Sequence, residues 1–205
     1  MFSELSDSIR QILTISIPAE RKVVLQELIE YLKDKVKAGT EINLNFICTH
    51  NSRRSQFAQI WAQTAADYHG INVNCFSGGV EETAFNQNAV DAIKRAGFKI
   101  SKIGTENPIY SILHSDTGRS VRAFSKLYDH PDNPASGFAA VMTCSDADEN
   151  CPFIPGTEKR IALLYEDPKV FDDSPDVAEK YDERSNQIAS EMFYVFSFIK
   201  SNRSY

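Results

Sequence analysis

The stretch Leu44-Asn-Phe-Ile-Cys-Thr-His-Asn-Ser-Arg-Arg-Ser55 sets a thiol, Cys48, a short polar turn ahead of a guanidinium, Arg54. A thiolate is a nucleophile, and the planar fork of an arginine matches a tetrahedral oxyanion. Strand-forming residues end at Cys48, and an amphipathic run begins at Arg54. Thr49, His50, Asn51, Ser52 and Arg53 fill the turn between them. Successive backbone N–H groups in such a turn, next to a helix N-terminus, are predicted to form an oxyanion cradle whose field favours thiolate over thiol. Ser55 can donate its hydroxyl to the sulfur. The competing reading of Cys48, a buried core cysteine, is common on composition alone. Its place in a strand–loop–helix favours the reactive reading.

Two further strand ends carry reactive groups. The apolar run Phe138-Ala-Ala-Val-Met-Thr143 leads into Cys144-Ser-Asp-Ala-Asp-Glu-Asn-Cys151-Pro152, and Arg160 to Tyr165 leads into Glu166-Asp167-Pro168. In an open parallel sheet, ligands bind at the carboxyl ends of the strands. Cys48, Cys144 and Asp167 therefore converge on one expected site. Asp167 reads as a general acid that protonates a departing oxygen, against the plainer reading of a turn-initiating residue before proline. Cys-x6-Cys is not a usual zinc spacing. Cys75 reads as a small apolar core residue, and His114 and His130 as surface residues.

The elements that must position these groups follow from periodicity. Residues 1–40 read as two helices. Ser3 caps the first, which carries Leu5, Ile9, Ile12 and Leu13; Pro18 and Gly39 bracket the second. They offer an added packing layer or a contact for a homodimer. Strand Leu44–Ile47 is followed by a helix through Phe57, Ile60, Trp61 and Ala65, stopped by Gly70. A second strand runs over 72–77, and a helix over 84–96 stops at Gly97. Such alternation predicts a parallel sheet with helices on both faces. Residues 103–135 interrupt it; Pro108 to His114 and Arg119 to Leu127 suggest a hairpin. Ser145 to Asn150 reads as a polar, movable loop. From Pro175 a long amphipathic helix carries Val177, Tyr181, Ile188, Met192 and Phe196 over the sheet.

Cys-Thr-His-Asn-Ser-Arg-Arg-Ser resembles the phosphate-binding loop of the low-molecular-weight protein tyrosine phosphatase fold, which also carries the thioredoxin-coupled arsenate reductases. The segment from Cys144 to Pro152 resembles the one that holds the second and third redox cysteines of those reductases. It is the more specific signal, because phosphatases share the Cys-x5-Arg loop. The resemblance implies an α/β three-layer sandwich around a central parallel four-stranded sheet. It would comprise an N-terminal helical extension (1–41) and a phosphatase-like domain (42–205) with an inserted hairpin.

The function implied is reduction of arsenate to arsenite. Cys48 attacks arsenate, Arg54 orients it and Asp167 protonates the leaving hydroxide. Cys144 attacks the Cys48–arsenic adduct, Cys151 then attacks Cys144, and thioredoxin reduces the Cys144–Cys151 disulfide. The alternative is a low-molecular-weight tyrosine phosphatase or small phosphomonoesterase, which needs Cys48, Arg54 and Asp167 but neither other thiol. His50 stands where the family usually has glycine, Arg53 where it has cysteine or an apolar residue, and Lys169-Val170 where phosphatases have a tyrosine pair. Asn51 and Ser77 match residues that brace the loop.

Composition bounds the partners. In 205 residues, hydrophobic content of 42% and charged content of 24% are ordinary for a globular chain. A net charge of −6 without a basic cluster argues against a nucleic-acid binder. No apolar run reaches membrane-spanning length, and the first residues are too polar for a signal peptide. The expected setting is the cytoplasm, where thiols stay reduced unless they cycle in catalysis. The expected ligand is an arsenate- or phosphate-type oxyanion, with no cofactor and no metal.

Overall fold

The computed structural model describes residues 1–150 and 153–199. Among these, one sheet holds four parallel strands: β1 (Asn43–Cys48), β2 (Asn74–Gly79), β6 (Phe138–Met142) and β7 (Thr157–Ala162). Their order is β2-β1-β6-β7, so the chain winds one way from β1 and later the other. The winding direction changes between β1 and β6, which leaves a crevice at their carboxyl ends. Both strands are buried at every position, as central strands of a sheet covered on both faces should be; β6 is apolar throughout, and β1 buries Asn43 and Asn45 among its apolar residues.

One face of the sheet presents Leu44, Phe46, Ala139, Val141 and Ile161 to the main core. Over it lie α3 (Arg54–His69) and α6 (Val177–Ser197), with α4 (Gln87–Arg95) against α6. Trp61 of α3 is fully buried and donates its indole N–H to Ser185 of α6 at 2.9 Å. The other face presents Ile47, Phe138, Ala140 and Met142 to a smaller cluster with Cys48, Cys144, Ala147 and Ile154. Ala147 belongs to α5 (Ser145–Asn150), so a helix stands where the sequence suggested a loop. Apart from Ala147 its residues are polar or acidic, and it carries no apolar periodicity to reveal it.

The N-terminal helices α1 (Ser3–Ile12) and α2 (Ala19–Ala38) place Leu5, Ile9, Leu25, Leu28 and Leu32 in the main core. Ser3 is not the cap of α1: Phe2 holds the capping position without a side-chain bond, and Ser3 lies inside the helix. The inserted hairpin is present and shorter than expected, as β4 (Ile109–Leu113) and β5 (Val121–Ala123). It is the larger part of a three-stranded antiparallel sheet, because β3 (Lys99–Ile103) pairs with β4. Residues 124–128 leave the hairpin and run beside β2, where Gly79 N–H donates to Lys126 O at 2.8 Å and Tyr128 N–H to Gly79 O at 2.9 Å. The last strand begins at Thr157 rather than Arg160, and its bonding to the β6 segment continues through Tyr165.

Candidate active site

The loop from Cys48 to Arg54 is defined by where its carbonyls go. Cys48 O accepts from Val80 N–H, Thr49 O from Glu81 N–H, and Ser52 O from Asn86 N–H. His50 O accepts from the hydroxyls of Thr83 and Ser125, and Asn51 O from the Gln56 amide. Arg53 O accepts from Phe57 N–H within α3. Every carbonyl from 48 to 53 is thus drawn outward. The N–H groups of residues 49 to 54 have no acceptor among the described residues. A run of backbone donors left this way is a cup for an anion.

Asn51 makes the reversal possible. It is the one non-glycine residue with positive φ (46°) among those described, a region that asparagine tolerates. Its side chain donates to Ser55 Oγ at 2.8 Å and accepts from Lys126 N–H at 3.1 Å. With one Ser55 lone pair so occupied, the hydroxyl proton is directed at Cys48 Sγ, 3.0 Å away. His50 does not need a glycine's conformational freedom, because the left-handed residue is its neighbour. Its imidazole stands half-exposed at the rim, 3.3 Å from the Glu81 carboxylate. Gly79 does need to be glycine: an added Cβ would lie 2.6–2.8 Å from the backbone of Glu81, Asn51 and Thr49.

The three strand ends meet at this cup. Arg54 donates to Tyr165 O at 3.0 Å and to the Asp167 carboxylate at 2.6 Å. Its Nε is buried with no partner among the described residues. Cys48, His50, Ser52, Arg53, Arg54 and Asp167 enclose about 10 Å³, room for about one water. An arsenate or phosphate group can enter only if the Asp167 carboxylate swings off Arg54. Arg53 lines this cleft, but its guanidinium is tied to Tyr181 Oη at 2.7 Å and Asp172 at 2.9 Å.

Cys144 is buried beside the cup, and its Sγ lies 3.4 Å from Thr49 Oγ1. Thr49 Oγ1 also donates to Asp146 at 2.7 Å, which leaves its lone pair to accept the Cys144 S–H. Cys151 lies outside the described residues. Cys75 is buried in the core; burial pushes its thiol up and Asp67 adds to that, so it stays protonated and inert. Ser77 is bonded to Gln59 at 2.6 Å and not to the loop. Bracing falls instead to residues 124–128, which supply Gln56, His50 and Asn51 with partners. That segment carries no periodic or motif signal.

Comparison with known proteins bears on the family and the fold. Arsenate reductase 2 of Staphylococcus epidermidis is 32% identical over 123 residues, covering 60% of this chain and 76% of that protein. Arsenate reductase of Staphylococcus aureus (strain Newman) is 34% identical over 130 residues, covering 63% of this chain and 80% of its own. The chain belongs to the arsenate reductase family. No protein-family model matches it. Among solved structures, a low-molecular-weight phosphotyrosine phosphatase from Vibrio cholerae aligns with a TM-score of 0.51 at 13% identity, over 76% of this chain and 94% of that one. A mutant of YwlE from Bacillus subtilis aligns with a TM-score of 0.50 at 16% identity, over 77% and 97%. At such identities the likeness concerns the fold alone. This arsenate reductase family member is therefore an enzyme on the low-molecular-weight phosphatase fold.

Proposed function

We propose that the chain reduces arsenate to arsenite through a three-thiol relay. Arsenate enters the cup, held by Arg54 and the N–H groups of residues 49 to 54. The Cys48 thiolate attacks arsenic, and Asp167 gives its proton to the departing hydroxide, which leaves as water. The Cys144 thiolate then attacks Cys48 Sγ. A Cys48–Cys144 disulfide forms, the pair of the breaking sulfur–arsenic bond stays on arsenic, and arsenite leaves. Two thiols have lost two electrons and arsenic has gained them. Cys151 attacks Cys144, which frees Cys48, and thioredoxin reduces the resulting disulfide in the cytoplasm. Thr49, His50, Asn51, Ser52, Arg53 and Ser55 shape the cup.

One observation carries this reading over simple hydrolysis: a second buried thiol, Cys144, is linked to the cup through the Thr49 hydroxyl. Phosphate-ester hydrolysis has no use for it. The test supplies thioredoxin, its reductase and NADPH, then follows arsenate-dependent NADPH oxidation. Turnover in wild type and its loss in Cys144→Ser and Cys151→Ser is expected. No turnover in wild type, together with aryl phosphate hydrolysis undiminished by Cys144→Ser, would give the site to a phosphomonoesterase.

A further inference from the structure

Beside the first residues of β2 lies a cavity of about 270 Å³ lined by Gln59, Cys75, Arg119, Arg122, Lys126 and Asp132, among others. Lys126 is only 2% exposed. Its ammonium rests over the Phe124 ring at 4.7 Å and has no carboxylate or hydrogen-bond acceptor within bonding distance among the described residues. The Arg122 guanidinium lies 5.0 Å from the centre of the same ring, so two like charges are held against one aromatic side chain. Asp132 is the cavity's carboxylate, and it is bonded to Arg122 at 2.6 Å. Arg119 spends its donors on Asn74 and the Val73 carbonyl, neither of which is charged. Three cations therefore line the cavity against one carboxylate. A buried ammonium left in such company calls for a counter-charge.

We propose that this cavity binds a second tetrahedral oxyanion, of the phosphate or sulfate class, with Lys126 as its central ligand and Arg122 beside it. Lys126 is also the residue whose backbone N–H holds Asn51 and whose carbonyl holds Gly79. The site thus adjoins the catalytic loop through one residue, and the proposal does not depend on arsenate turnover.

Soaking crystals with tungstate separates the two sites by anomalous scattering. Wild type is expected to hold one ion in the cup and one against Lys126, and Lys126→Met only the first. In solution, the cup is disabled with Arg54→Ala, and sulfate is titrated against melting temperature. The single variant should still gain stability with sulfate, while Arg54→Ala/Lys126→Met should gain none. Arg54→Ala/Arg122→Gln, which leaves the lysine in place, should need about tenfold more sulfate. Tungstate in the cup alone, or an equal sulfate response with and without Lys126, would overturn the proposal.

Discussion

Arg54 and Asp167 are held together by a 2.6 Å hydrogen bond, so the cationic fork of the cup is closed by the carboxylate proposed as its acid. Substrate and Asp167 compete for the same guanidinium. In the proposed cycle, entry of the oxyanion displaces the carboxylate from Arg54 and leaves it beside the leaving oxygen, where protonation is needed.

Asp167→Asn separates these two roles. Without the charged competitor, sulfate should bind the cup about tenfold tighter or more, since a hydrogen bond to a charged partner is worth about 1.5–3 kcal/mol. Turnover should fall by about 10²–10⁴, the usual contribution of a positioned acid. Calorimetry with sulfate and single-turnover kinetics with arsenate read the two effects. Equal loss of binding and turnover would contradict the assignment.

Ser55→Ala removes the proton aimed at Cys48 Sγ and leaves the Asn51 amide without its acceptor. Alkylation of Cys48 by iodoacetamide at neutral pH should slow about tenfold, the loss of one charge-assisted hydrogen bond. The Cys75 thiol, buried and inert, gives little background. Mass mapping of the labelled peptides measures both.

Two substitutions test the loop's backbone. Asn51→Ala forces an alanine to the left-handed φ and strands Ser55 and Lys126 N–H, a combined cost of about 2–4 kcal/mol. Asn51→Gly removes the backbone part and should recover about 1 kcal/mol. Gly79→Ala meets only backbone atoms, none of which can rotate away. It should cost about 3 kcal/mol and disable the cup. Urea unfolding curves rank the three.

Lys126 gives a pH signature. Burial brings its pKa down from 10.5 to about 8, against the pull of nearby Asp132. Between these values the unfolded chain holds the proton that the folded chain has lost. Stability contributed by this residue therefore rises with pH across that window. At pH 7, in buffer free of phosphate and sulfate, Lys126→Met should be more stable than wild type by up to about 3 kcal/mol. The gap should narrow towards pH 10. A gap independent of pH would contradict the assignment.

Much of the fold was legible because its signals are local. Cys48 ends a strand in which every residue is apolar or buried, α3 shows its helical spacing from Phe57 to Ala65, and Gly70 stops it in the left-handed region. What was missed lacks local signal. β3 is exposed at four of its five positions and shows no alternation. α5 is built of acidic and small residues, and a helix without an apolar stripe looks like a loop. The role of residues 124–128 rests on bonds to Asn51, His50 and Gln56, which lie some seventy positions away. No window of sequence contains both ends of such a contact.

The segment 124–128 beside Gly79 bears on how far the protein can be trimmed. Excising residues 103–135 to reach a minimal phosphatase would spare all four parallel strands and every residue proposed to touch substrate. It would nonetheless take away the splint against which the anion loop sets. The shortened chain should lose its grip on oxyanions as well as the second sheet and the core contacts of Tyr110, Ile112, Val121 and Ala123, so the dispensable-looking segment is scaffold for the anion loop.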